Sequence, residues 1–148
     1  MIGKLILTHG GLARELLAAA QVISGRIPAF EALSLDWSEG VEEARAKVGA
    51  ALERLDEGQG VLILTDMYGG TPCNIAMKFL DPGKVEVITG VNLPMVLRLA
   101  CQPAEAANVA EVAHWLQVKA QTSHCVGSDM VQGKKCDNKA AVPTGERT

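Results

Sequence analysis

The sequence has few aromatic residues, no excess of positive charge and no long apolar run. Two Phe, one Tyr and two Trp make up the 3% aromatic content, so the core has to be built from Leu, Val, Ile, Ala and Met. A net charge of −3 and the lack of any basic run interleaved with aromatics argue against nucleic-acid binding. No stretch approaches the roughly 20 apolar residues of a membrane helix. The amino-terminal run Leu5 to Leu7 is short for a signal peptide and is soon followed by His9, Arg14 and Glu15. The chain therefore reads as soluble and cytoplasmic, with no direct membrane insertion. The four cysteines, Cys73, Cys101, Cys125 and Cys136, form no C-x-x-C pair and none combines with a histidine at zinc-finger spacing, so free thiols in a reducing compartment are the default.

The 148 residues fit one domain with a core large enough to be stable without disulfides, and the 48% hydrophobic content is that of a folded chain. Its organising stretch is Lys4-Leu5-Ile6-Leu7-Thr8-His9-Gly10-Gly11, an apolar strand that delivers one titratable side chain to a glycine turn. Leu12, Leu16, Ala20 and Ile23 then recur at helical spacing. His9 thus stands where a buried strand ends and a helix begins, the position at which open α/β sheets gather ligands. Read without its context, the histidine serves equally well as a strand end or turn cap.

Phe30 to Asp36 alternates in a way that suits a strand near the sheet edge. Ser38 is placed to cap a second helix with the apolar stripe Val41, Ala44, Val48, Ala51, Leu52 and Leu55. Val61 to Leu64 is a continuous apolar run ending in Thr65-Asp66, the same design as Thr8-His9. Tyr68-Gly69-Gly70 forms a turn, and Thr71-Pro72 starts a helix, Thr by accepting the first amides and Pro by tolerating the first helical position. Asp81-Pro82-Gly83 ends it. Val85 to Thr89 is a fourth strand, Gly90 to Pro94 a turn, and a short helix runs to about Ala100. Pro103 interrupts before a last helix carrying Val109, Val112, Ala113 and Leu116, with Trp115 as a packing residue.

Strands alternating with helices predict a doubly wound, mainly parallel α/β sheet with helices on both faces. Val118 to Val126 is read as a short antiparallel closing strand. Residues 1–126 form the domain, and the stretch 127–148, where the composition shifts to Gly, Lys, Asp, Asn, Pro and Thr with few large apolar residues, reads as a flexible carboxyl-terminal tail without an assigned function.

If the first and third strands are neighbours, His9 and Asp66 meet at the top of the sheet with Gly69, Gly70 and Thr71 beside them. A carboxylate on one imidazole nitrogen fixes the tautomer and leaves the other nitrogen's lone pair outward. The Gly-Gly-Thr turn offers close amides and a hydroxyl for phosphate oxygens, and Thr71 serves equally as a phosphate contact or a cap. Phosphoryl acceptance by histidine suits this set better than hydrolysis, for which no Ser or Cys nucleophile with a histidine base is evident. Asn92 reads as a turn and cap residue, His114 and His124 as surface or packing histidines, and Cys73 as a small apolar side chain.

Three stretches, Thr8-His9-Gly10, Asp66-Met67-Tyr68-Gly69-Gly70-Thr71-Pro72-Cys73-Asn74 and Thr89-Gly90-Val91-Asn92-Leu93-Pro94-Met95, resemble in order and spacing the signatures of enzyme IIA in the mannose family of the phosphoenolpyruvate-dependent sugar phosphotransferase system. The resemblance covers Met1 to about Ala120. It implies strand order 2-1-3-4 and a phosphoryl carrier that works without metal or nucleotide. The histidine matching His9 takes phosphate from the carrier protein HPr and hands it to a histidine of enzyme IIB for sugar uptake. The aspartate matching Asp66 orients the imidazole, Thr71 contacts the phosphate, and Gly69 and Gly70 shape the turn. The resemblance also implies a homodimer joined through a carboxyl-terminal strand. The alternative is a regulatory module in which His9 phosphorylation selects a non-transport partner. The phosphotransfer subunit serving dihydroxyacetone kinase fits less well, since its family lacks the Gly-Gly-Thr-Pro-x-Asn pattern.

Overall fold

The computed structural model describes residues 1–101 and 108–134. Its centre is a parallel four-stranded sheet in the order β2-β1-β3-β4, formed by β1 (Gly3–His9), β2 (Phe30–Leu35), β3 (Val61–Thr65) and β4 (Val85–Thr89). The expected order and parallel α/β class both hold, with β2 at one edge. β1 and β3 occupy the middle because their side chains are apolar on both faces, and every residue of β3 is buried.

Two cores result from the alternation of side chains along these strands. Ile6, Leu62 and Leu64 face one layer, made by α1 (Leu12–Ser24), α4 (Leu93–Ala100) and α5 (Val109–Gln121). Leu5, Leu7 and Ile63 face the other, made by α2 (Val41–Leu55) and α3 (Thr71–Met77). Helices packed on both faces leave the carboxyl ends of all four strands on one rim. The chain reverses direction across the sheet between β1 and β3, so the switch point lies between the strands that carry His9 and Asp66.

The packing corrects several local expectations. The buried stripe of α1 is Ala13 and Ala20 with Leu16 and Leu17 against the core, whereas Leu12 and Ile23 are exposed. In α2 the stripe from Ala44 to Leu55 is buried as read, but Val41 faces out. Ser38 does not cap α2; its amide donates to Asp36 Oδ1 at 3.2 Å, and the N-cap position is Gly40. Asn92 does cap α4, its Oδ1 accepting the Met95 amide at 3.0 Å. Trp115 packs against the first core.

The expected closing strand is absent: Val118 to Gln121 continue α5, and no strand follows among the described residues. A short helix, α6 (Gly127–Val131), stands at the start of the segment read as a tail, and residues 135–148, like Pro103, lie outside the described residues. Cys73 and Cys101 are free, but Cys125 is disulfide-bonded, which corrects the expectation of free thiols throughout. Among the described residues no helix is long and apolar enough to cross a membrane.

Lys4 is a charge the hydrophobic pattern concealed. It is the second residue of β1, 4% exposed, with its ammonium 5.6 Å from the centre of the Phe30 ring, and burial lowers its pKa from the ordinary 10.5.

Candidate functional site

His9 is the last residue of β1, and its position is fixed from both sides. Thr8 is fully buried, and its Oγ1 accepts the Ala13 amide at 2.7 Å. The first turn of α1 has no side-chain cap of its own at Gly11, so the preceding strand satisfies one of its orphan amides. The strand end and the helix start are thereby joined around the histidine. Thr65 occupies the matching position on β3, but its buried Oγ1 has no hydrogen-bond partner, so the parallel design of the two strand ends does not extend to their threonines.

Asp66 directly follows β3, beside the end of β1. Its Oδ2 accepts the His9 ring Nδ1–H at 2.7 Å and the His9 backbone N–H at 3.0 Å, and its Oδ1 accepts the Met67 amide at 3.0 Å. The side chains are 26% and 14% exposed, enough shelter to strengthen the pair while leaving an edge of the ring to solvent. Burial pushes the Asp66 carboxyl up, but hydrogen bonds from the His9 ring and amide, the His9 charge and the backbone amide of Asp66 itself outweigh it. The net result lies below the ordinary value of 3.8. An ionised carboxylate only accepts, so in the neutral imidazole the proton is on Nδ1 and Nε2 keeps its lone pair.

Gly70 lies against that free nitrogen. A Cβ at this position would stand 2.6 Å from His9 Cε1 and 3.1 Å from Nε2, so only glycine admits the imidazole. Gly69 has φ +83°, a left-handed conformation that suits a residue without Cβ. Thr71 is the first residue of α3 and is exposed, and no side chain caps the helix, so its expected capping role is not seen. Pro72 does occupy the first turn as read, and Cys73 is buried as a small apolar residue.

The third sequence stretch braces this arrangement from behind. The Val91 amide donates to the Thr65 carbonyl at 2.9 Å, tying the β4–α4 turn to the carboxyl end of β3 just before Asp66. His114, on α5, and His124, just beyond its end, are exposed. There they help line a cleft of about 900 Å³ with Thr89, Asn92 and Gln117, to which neither His9 nor Asp66 contributes. No group of three or more His, Cys, Asp or Glu set to hold a metal occurs among the described residues.

One residue at the site gave no motif signal. Trp37 stacks on the His9 ring with centroids 5.5 Å apart and planes 28° from parallel. The register pairs His9 with Leu35, so Trp37 lies two residues beyond the point where β2 runs alongside His9. Only the strand pairing makes that proximity visible.

Chemically, the group offers one imidazole nitrogen at a partly exposed rim, its ring oriented by a carboxylate, an arrangement able to act as a nucleophile. Comparisons with known proteins place the chain in a family. A family model described as EIIA-man, PTS system fructose IIA component, matches residues 3–117. The PTS system mannose-specific EIIAB component of Escherichia coli K12 is 37% identical over 97 residues, which are 65% of this chain and 30% of that protein. The chain thus spans less than a third of that longer relative. The sorbose-specific EIIA component of Lacticaseibacillus casei is 26% identical over 90% of this chain and 97% of its own length. Among solved structures, the mannose/sorbose specific IIA subunit from Enterococcus faecalis superimposes with a TM-score of 0.73 at 33% identity, covering 85% of this chain and 95% of that one. With the family model spanning most of its length and the rim geometry on the same residues, this chain belongs to the EIIA-man family of sugar phosphotransferase system IIA components.

Proposed function

We propose that His9 is a phosphoryl acceptor that takes phosphate from the phosphohistidine of HPr and passes it to a histidine of enzyme IIB for sugar uptake. The observation that carries this reading is the 2.7 Å bond between His9 Nδ1 and Asp66 Oδ2, which in the neutral ring puts the proton on Nδ1 and leaves the lone pair on Nε2. The Nε2 lone pair attacks the donor's phosphorus in line; the Nε2–P bond forms as the donor N–P bond breaks, and the donor nitrogen keeps the electron pair. The His9 ring, still protonated at Nδ1, then carries positive charge balanced by Asp66. Onward transfer reverses these steps, so no proton enters or leaves. A phosphohistidine already has high transfer potential, so neither metal nor nucleotide is required.

In this reading Gly69, Gly70 and Thr71 hold the phosphoryl oxygens, through the first-turn amides of α3 and the exposed Thr71 hydroxyl. Leu12, Met67 and Tyr68 are large apolar side chains exposed close to His9 in space or sequence, which suits docking of a protein donor and acceptor better than capture of a small molecule. The relay acts in the cytoplasm as a homodimer; the outer edge of β4, which has no strand partner in the described sheet, is available to a second copy.

The test is incubation with phosphoenolpyruvate, enzyme I and HPr, following labelled phosphate. The parent should take up one acid-labile phosphate, and His9→Ala none. Equal uptake by His9→Ala would overturn the assignment. Rapid transfer of the label to a cognate enzyme IIB is the second expected result.

A further inference from the structure

We infer that Trp37 is a positioning residue for phosphoryl transfer at His9, a role that rests on the acceptor reading above. At 83% exposure this indole is scarcely packed by the fold, yet its ring is held over the imidazole at 5.5 Å and 28°. The turn that follows β2 sets it there. Ser38 donates its amide to Asp36 Oδ1 at 3.2 Å, and Glu39 donates its amide to the Asp36 carbonyl at 3.1 Å, which closes the backbone around Trp37. The strand before it is anchored to the histidine's own turn, since the Gly10 amide donates to the Leu35 carbonyl at 3.3 Å.

Three contacts thus define the ring. Asp66 holds Nδ1, Gly70 lies beside Cε1 and Nε2, and Trp37 covers a face. Phosphorus approaches along the Nε2 lone pair, which lies in the plane of the imidazole, so a residue stacked on the face restrains the ring without blocking attack. The stack also has a sign. An indole face attracts a cation more strongly than a neutral ring, and the imidazole is neutral before transfer and positively charged while it holds the phosphoryl group. Trp37 therefore favours the phosphorylated state over the free one.

This separates a positioning role from a docking role. With phospho-HPr as donor, Trp37→Ala should lower kcat for acceptance by about five-fold while KM stays within about two-fold, and should shorten the half-life of the phosphoprotein by a similar factor. Trp37→Phe, which restores an aromatic face, should recover most of both. Tryptophan emission of the parent should change on phosphorylation, and that change should vanish in Trp37→Phe, where Trp115 alone remains. If the parent takes label on His9 but Trp37→Ala matches it in kcat and half-life, or raises only KM, Trp37 has no positioning role. A parent that takes no label removes the acceptor reading and this inference with it.

Discussion

A single carboxylate oxygen, Oδ2 of Asp66, binds His9 twice, at the ring Nδ1 and at the backbone amide. It orients the imidazole and its main chain together, so the ring has little freedom to swing away. Asp66→Asn keeps the size of the side chain but removes the charge, and its amide nitrogen can donate to Nδ1, which favours the tautomer with the proton on Nε2. The rate of phosphoryl acceptance by His9 should fall about a hundredfold while the fold persists. Rapid-quench measurement of label uptake, with circular dichroism as the control, checks it; an unchanged rate would remove Asp66 from the mechanism.

The same carboxylate links stability to pH. Its folded pKa lies below the ordinary 3.8, so between the two values the unfolded chain binds more protons and stability rises with pH. The contribution is fully present above the unfolded value and is lost as pH falls through the folded one. Urea titrations below pH 4.5 should show a steeper loss of stability for the parent than for Asp66→Asn.

Gly70→Ala tests the space around Nε2. The added methyl would stand 2.6 Å from His9 Cε1, and the ring is the part that must yield. Phosphoryl acceptance should drop at least about tenfold, with a stability loss of only about 1 kcal/mol because the site is on the rim rather than in the core. Label uptake and thermal unfolding measured on the same preparation distinguish this from simple misfolding.

Thr8→Val removes the hydroxyl that caps α1 and leaves the Ala13 amide without its partner. Because both groups are buried, destabilisation of about 1–2 kcal/mol is expected in urea denaturation. A smaller effect on phosphoryl acceptance should accompany it through the loosened end of β1.

Lys4→Met should have the opposite effect on stability. The folded pKa of Lys4 lies below 10.5, so between the two values the unfolded chain again binds more protons and stability rises with pH. At pH 7 the buried ammonium is a net cost, only partly offset by the Phe30 face. The Met variant should be more stable by about 1 kcal/mol at pH 7, and the rise in stability as pH approaches 10.5 should flatten.

The strands and the His9–Asp66 pair were legible in the sequence because β1 and β3 are apolar on both faces and stop abruptly at a titratable residue. Strand order came from the resemblance of three motifs, not from periodicity. The misreadings have local causes. Val118 is 62% exposed on the outer face of α5, so an apolar residue outside the helical stripe imitated a strand. Ser38 and Thr71 are good capping residues by type, but the chain placed glycines, Gly40 and Gly70, at the cap positions. Trp37 was invisible because its contact with His9 depends on the pairing of β2 with β1, and no spacing rule along the chain reports that.

The His9–Asp66 bond spans 57 positions of sequence and exists only where β1 and β3 lie side by side. A nascent chain that has emerged only as far as Gly60 therefore holds an imidazole with no anion to hold its proton in place. On the proposed role of His9, acceptor competence arrives late in synthesis, with the third strand, and labelling of His9 would report that the centre of the sheet has assembled.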